Sequence, residues 1–138
     1  MTVIVSDSVK SCPQFFDLDP MGVVWHGNYP RFFELGRAAL LTKIDYGYEA
    51  MQASGFMWPV IDMHVRYYRP IRLAQWMDIA ASITEWENRL KIDYMIRDVA
   101  TGAKLTKGSS VHVAIDIATQ EMQWQTPPIL KQKLAAWL

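Results

Sequence analysis

Asn28-Tyr-Pro-Arg-Phe-Phe-Glu-Leu-Gly-Arg-Ala-Ala-Leu-Leu-Thr-Lys-Ile44 is the stretch that decides the architecture. Tyr29, Phe32, Phe33, Gly36, Leu40 and Ile44 recur at the spacings of one helix face, with Arg31, Glu34 and Arg37 falling between them. Asn28 is a good N-cap residue, and Pro30 sits in the first turn, where its missing N–H costs little. The pattern predicts a long helix starting near Asn28. Gly36 inside that helix is unfavourable by roughly 1 kcal/mol against alanine. Its place on the apolar face therefore predicts a close approach to a sheet. A second, short helix is predicted over Tyr48–Ala53, ended by Gly55.

Working outward, the period changes from helical to alternating. Val60–Tyr68 is rich in β-formers and is stopped by Pro70. Met77–Glu87 sets Ile79, Ala81 and Ile83 against Asp78, Ala80 and Ser82. Leu90–Val99 sets Ile92, Tyr94 and Ile96 against Lys91, Asp93 and Arg97, and Asp98–Gly102 reads as a hairpin turn. Leu105–Ile117 puts Val111, Val113 and Ile115 on one face. On the other side of the helix, Val9–Phe16 predicts a first strand. Pro127-Pro128 precedes a predicted C-terminal helix, Ile129–Trp137. Consecutive strands with short turns imply an antiparallel sheet. The long helix has only that sheet to bury its apolar face against. The predicted class is α+β, a single domain over residues 1–138 with an antiparallel sheet wrapped around one long helix.

Composition narrows the function. The chain has 138 residues, 51% hydrophobic and 20% charged, enough for a real core and free of disorder signals. A formal net charge of zero argues against a nucleic-acid partner, which normally needs a basic face. It leaves room for a small basic patch toward a phosphorylated ligand. Cys12 is the sole cysteine, so no internal disulfide is possible. No Cys/His spacing suggests a metal site, and no Gly-x-Ser-x-Gly elbow suggests a serine hydrolase. The N-terminus lacks the basic start and apolar run of a signal peptide. No window approaches the about 18 apolar residues of a membrane span. The expectation is a cytoplasmic protein that does not insert into membranes. His64 and His112 are lone histidines in strand segments and read as structural, while Arg66, Arg69 and Arg72 read equally well as phosphate contacts or as a solvated strand edge.

The chemistry lies just ahead of the helix, in Phe15-Phe-Asp-Leu-Asp-Pro-Met-Gly-Val-Val-Trp-His-Gly-Asn28. Asp17, Asp19 and His26 share this loop, and Gly22 and Gly27 permit tight backbone paths. Free N–H groups at a helix start favour anions, a developing oxyanion included. A carboxylate beside them could attack a carbonyl or activate a water. By residue type alone, an Asp before a helix serves as readily as a cap or turn residue. His26 alone reads as a hydrogen-bonded structural residue.

The pattern Asp-x-Asp-x-x-Gly-Val-Val-x-His-x-x-Tyr, followed by Phe-Phe-Glu-x-x-Arg, resembles the 4-hydroxybenzoyl-CoA thioesterase family. Tyr67-Tyr-Arg-Pro70 is similar to that family's strand ending in Tyr-x-x-Pro, and the order of elements resembles the hotdog fold. The resemblance implies that Asp19 is the catalytic carboxylate, either a nucleophile giving a mixed anhydride or a general base for water. It implies that the His26 backbone N–H is the oxyanion donor and that Gly22 shapes the loop. Tyr29 and Glu34 would face the acyl pocket or its edge, Trp58 would contribute to the substrate channel, and Asp17 would support the loop against substrate. Arg89 and Lys91 are the basic residues left where the family has a phosphate-binding cluster. The implied substrate is an acyl-CoA, with no metal or cofactor. Family members pair as homodimers, build each site from both chains, and often form homotetramers. Large apolar residues in the strand segments, among them Tyr67, Tyr68, Trp76, Trp86 and Met95, point the same way.

His26 stands where the hydroxybenzoyl-specific enzyme has Tyr and the broader acyl-CoA branch has His. An aliphatic or a general aryl thioester therefore fits equally. Two other functions compete: a hotdog hydratase or dehydratase, which would need a His and an acid to move a proton α to the carbonyl, and a non-catalytic acyl-binding module that kept the pocket. The intact Asp19 motif favours hydrolysis.

Overall fold

The alternating stretches form one antiparallel sheet, and the periodic stretch lies across it. The computed structural model describes residues 2–138. The chain runs β1 (Val5–Ser11), α1 (Tyr29–Lys43), α2 (Tyr48–Ser54), β2 (Phe56–Met57), β3 (Val60–Tyr67), β4 (Met77–Glu85), β5 (Leu90–Asp98), β6 (Lys104–His112), β7 (Ile115–Asp116) and α3 (Pro128–Leu134). Five strands pair in the order β1-β4-β5-β6-β3, and β2 pairs separately with β7. Strands β4, β5 and β6 are a meander joined by tight turns. Gly102 closes the second turn at φ +75, and its N–H donates to the Asp98 carbonyl.

Alternation translates directly into burial. Ile79, Ala81 and Ile83 of β4 and Ile92, Tyr94 and Ile96 of β5 all face the helix and are buried. From α1, Phe32, Phe33, Leu40 and Leu41 join them. Gly36 makes the close approach its position predicts: a Cβ there would lie 3.0 Å from Ile79 Cγ2 and 3.4 Å from Ala81 Cβ. Phe33 stacks on Tyr94 with ring centroids 4.5 Å apart. Gly108 of β6 leaves room for the same ring, since a Cβ at that position would collide with it. At the C-terminus, Leu130 and Leu134 of α3 are fully buried.

Three expectations need correction. The first strand is Val5–Ser11 rather than Val9–Phe16. Pro13 has no N–H for the ladder, and Phe15 and Phe16 beyond it are exposed in a 3-10 turn. The last long strand does not run to Ile117. The β6 ladder ends at His112, and Ile115–Asp116 turns away to pair with Phe56–Met57. Asn28 does not cap α1 through its side chain. It closes a 3-10 turn, His26–Asn28, and its amide donates instead to the Asp17 carbonyl, 2.8 Å away.

The sheet leaves β3 as an edge. One side pairs with β6, and no residue of the strand is buried. Ile61 and Tyr67 are about half exposed. Among the described residues, no helix is long and apolar enough to cross a membrane.

Candidate active site

The loop between β1 and α1 is folded by its own acids. Asp17 is buried, and both of its carboxylate oxygens are occupied. One is paired with Arg31, and the other accepts the Gln14 N–H at 2.8 Å. Its carbonyl accepts from the Trp25 N–H at 3.0 Å and from the Asn28 side chain. Asp17 therefore ties both ends of the loop together, and it does not line the cavity beside Asp19.

Asp19 is placed differently. Its N–H donates to the Val23 carbonyl at 2.8 Å, and its own carbonyl accepts from Gly22 at 3.0 Å. Gly22 takes φ +78, which a side chain would resist. The Met21 N–H donates to Asp19 Oδ1 at 2.9 Å. The other carboxylate oxygen, Oδ2, has no protein donor among the described residues. The loop is also bound to the chain after β3: Val23 bridges to Arg72, and the Val24 N–H donates to the Ile71 carbonyl at 2.8 Å.

A cavity of about 280 Å³ opens beside Asp19, walled by Val24, His26, Tyr29, Tyr67 and Arg69. Tyr29 is buried in its floor and meets Tyr67 edge-on, with ring centroids 4.7 Å apart. Burial first, then the neighbouring Tyr67, pushes the Tyr29 phenol above its usual range, so it stays protonated. Tyr67 donates its hydroxyl to the His26 carbonyl at 2.8 Å, fixing the turn that begins α1. The His26 N–H, first in that turn, has no protein acceptor among the described residues. Asp19, with one carboxylate oxygen free of protein donors, and His26, with an unpartnered N–H, thus line one hollow, and attack on a carbonyl needs a carboxylate and an oxyanion donor.

The remaining candidates lie elsewhere. Glu34 accepts from Arg37 at 2.8 Å and from the Tyr48 hydroxyl at 3.0 Å. Arg37, Tyr48 and the buried Trp58 line a second cavity of about 310 Å³, otherwise mostly apolar, at the opposite end of β3. Arg89 donates to Glu85 at 3.2 Å in the β4–β5 turn. Lys91 lies 4.0 Å from Asp93 and lines a hollow on the sheet with Arg66 and Lys107. The second cavity is the larger and more enclosed. No carboxylate lines it, whereas Asp19 lines the first cavity.

One buried network was not read from the sequence. The Arg37 guanidinium sits 3.0 and 3.4 Å from the two ring nitrogens of His112. A donor that close to both lies along the lone pair of neither. The ring therefore donates from Nδ1 to the Trp58 carbonyl at 3.2 Å and accepts at Nε2 from the Ser110 hydroxyl at 2.8 Å. Ser110 in turn meets the Tyr94 hydroxyl at 2.7 Å. Burial, then the Arg37 charge, brings His112 down to about 4, and burial pushes Tyr94 up to about 12. The helix-face count flagged Arg37 and the strand count flagged His112. Their contact spans a sequence separation that no local pattern encodes.

Comparison with known proteins identifies the family and the fold. The profile described as the thioesterase-like superfamily matches residues 13–138. A Synechocystis protein provisionally named an esterase is 32% identical over 114 residues, covering 82% of this chain and 69% of its own. A Bacillus subtilis protein provisionally named acyl-CoA thioesterase YneP is 28% identical over 104 residues, covering 75% of each chain. Among solved structures, a 4-hydroxybenzoyl-CoA thioesterase complexed with 4-hydroxybenzoyl-CoA superimposes with a TM-score of 0.81 at 14% identity, over 94% of this chain and 98% of that one.

Proposed function

We propose that this chain, which belongs to the thioesterase-like superfamily, hydrolyses the thioester of an aliphatic or aryl acyl-CoA at Asp19. The observation that carries this reading is that Asp19 and His26, whose N–H has no protein acceptor among the described residues, line one cavity. The thioester carbonyl oxygen would lie against the His26 N–H, which stabilises it as negative charge develops. Two routes fit. In the first, Asp19 attacks the carbonyl carbon, the C–S bond breaks to release the CoA thiolate, and water cleaves the resulting anhydride. In the second, Asp19 takes a proton from a water as that water attacks. Tyr29, kept protonated by burial, supplies a fixed aromatic floor in either case.

The experiment is a thiol-release assay over a panel of aliphatic and aryl acyl-CoAs with the purified protein. Turnover of at least one class is expected. No thiol release from any member would overturn the reading.

The same proposal includes a homodimer formed through β3, a strand with an unpaired edge and exposed apolar residues. Antiparallel pairing of two such edges would bring the Trp58 end of one strand to the Tyr67 end of the other. The Asp19 cavity of one copy would then meet the Glu34–Trp58 region of the second, which would receive the acyl group. Light scattering at micromolar concentration should report at least twice 15.9 kDa, and a monodisperse, fully active species of 15.9 kDa would rule this out.

A further inference from the structure

The Asp19 cavity has a neighbouring hollow. Arg69 and Pro70 line the cavity, and they also line this hollow, of about 570 Å³, with Arg72, Gln75 and Thr101. We infer that this hollow receives the diphosphate end of coenzyme A, held by Arg69 and Arg72, while the thioester lies at Asp19. The inference rests on the thioesterase reading and adds to it the residues that distinguish CoA from a bare thioester.

Four observations carry it. First, the two hollows share Arg69 and Pro70 in their walls and so lie side by side, as the two ends of an extended pantetheine arm require. Second, among the described residues neither Arg69 nor Arg72 is paired with a carboxylate, whereas Arg31, Arg37, Arg89 and Lys91 all are. Unpaired guanidinium groups are suited to phosphate, which they can bind through two donors at once. Third, the hollow is built rather than loose. The Arg72 N–H donates to Gln75 Oε1 at 3.0 Å, the Gln75 N–H returns to the Arg72 carbonyl at 3.2 Å, and the Gln75 amide donates to Asp98 at 3.1 Å. Asp98 is the one acid lining the hollow. Hydrogen bonds from Thr101 and Gln75 hold its carboxyl below the usual range. Two guanidinium groups outweigh that charge. Fourth, Val23 bridges to Arg72, so the loop that carries Asp19 and the segment that carries the cation share backbone hydrogen bonds. The separation between carboxylate and cation is thereby fixed by the fold.

Arg89 and Lys91, the residues the family resemblance offers for phosphate contact, are each beside an acid, Glu85 and Asp93. They lie at the opposite end of the strands from Tyr67 in the same copy.

The test compares two substrates with one acyl group: the acyl-CoA turned over fastest and its N-acetylcysteamine thioester, which has no phosphate. In R72Q and in R69Q/R72Q, the ratio of kcat/KM for the CoA thioester to that for the short thioester should fall at least tenfold, chiefly through KM. The fall should shrink as salt is raised. A ratio within twofold of wild type overturns the inference, as does an equal fall in R89Q/K91Q with none in R72Q. An acyl-carrier-protein substrate that loses more than the CoA thioester in R72Q assigns the hollow to the carrier and also overturns it. Titration of free CoA by calorimetry reads the same site without turnover. Weaker CoA binding in R72Q supports the inference even if no thioester is hydrolysed, in which case the thioesterase reading alone has failed.

Discussion

Asp19→Asn is expected to lower kcat on the best acyl-CoA by two to four orders of magnitude while leaving the fold intact. The amide matches the carboxylate in shape and still accepts the Met21 N–H that orients it. It can act neither as base nor as carboxylate nucleophile, and a positioned base alone is worth roughly 10²–10⁴-fold. Circular dichroism and the thiol-release assay together read the outcome. More than a tenth of wild-type turnover in the folded variant removes Asp19 from the chemistry. Asp17→Asn is the companion measurement. Asp17 is sealed under the loop, so its loss should act on stability. The Arg31 partner is half exposed, and such pairs are screened, so a cost of about 1–2 kcal/mol is expected. Rate should fall far less than in Asp19→Asn. An equal collapse of rate in both folded variants would reverse the assignment of the two acids.

His112 should make the protein lose stability in mild acid. Its folded value is about 4, against 6.5 for the free side chain. Above that upper value both folded and unfolded chains hold it neutral, and its contribution is fully present. As pH falls below 6.5 the unfolded chain takes up the proton and the folded chain refuses it, so stability drops until pH 4 is passed. The loss is about 2 kcal/mol at pH 5 and about 3 kcal/mol at pH 4. Urea unfolding from pH 8 to pH 4.5, at fixed protein concentration, measures it. His112→Gln does not titrate there and can still accept from Ser110, so its stability should vary less with pH than that of the wild type. Parallel curves for the two proteins would show that the buried, neutral His112 has no such effect.

Much of the fold was legible because it is local. The helix face of Tyr29, Phe33 and Gly36 and the alternation of Ile79, Ala81 and Ile83 depend only on period, and the structure buries those residues. The first strand was misplaced because β1 is an edge strand whose outward Ser6, Ser8 and Lys10 dilute the signal. The position of β3 beside β6, rather than beside β4, is a long-range pairing that no local pattern specifies. The site divides in the same way. Asp19, Gly22 and His26 lie within one loop, so their grouping could be read from sequence. Tyr67 and Arg69 reach that loop only through folding. Asp17, expected to support the loop, anchors it from a buried position, and its partners Arg31 and Gln14 come from either side of the loop.

The two glycines at the contact between helix and sheet bear on how this chain can diverge. Gly36 and Gly108 set how far α1 stands off the sheet, and the 3-10 turn that leads into that helix carries the His26 N–H. A single carbon added at Gly108, on a strand that contributes no side chain to the Asp19 cavity, must displace Phe33 and with it the helix. Relatives that drift at these two positions should therefore change catalytic rate without changing any residue that touches substrate. Directed evolution of a new acyl preference should accumulate compensating pairs there before it alters the loop.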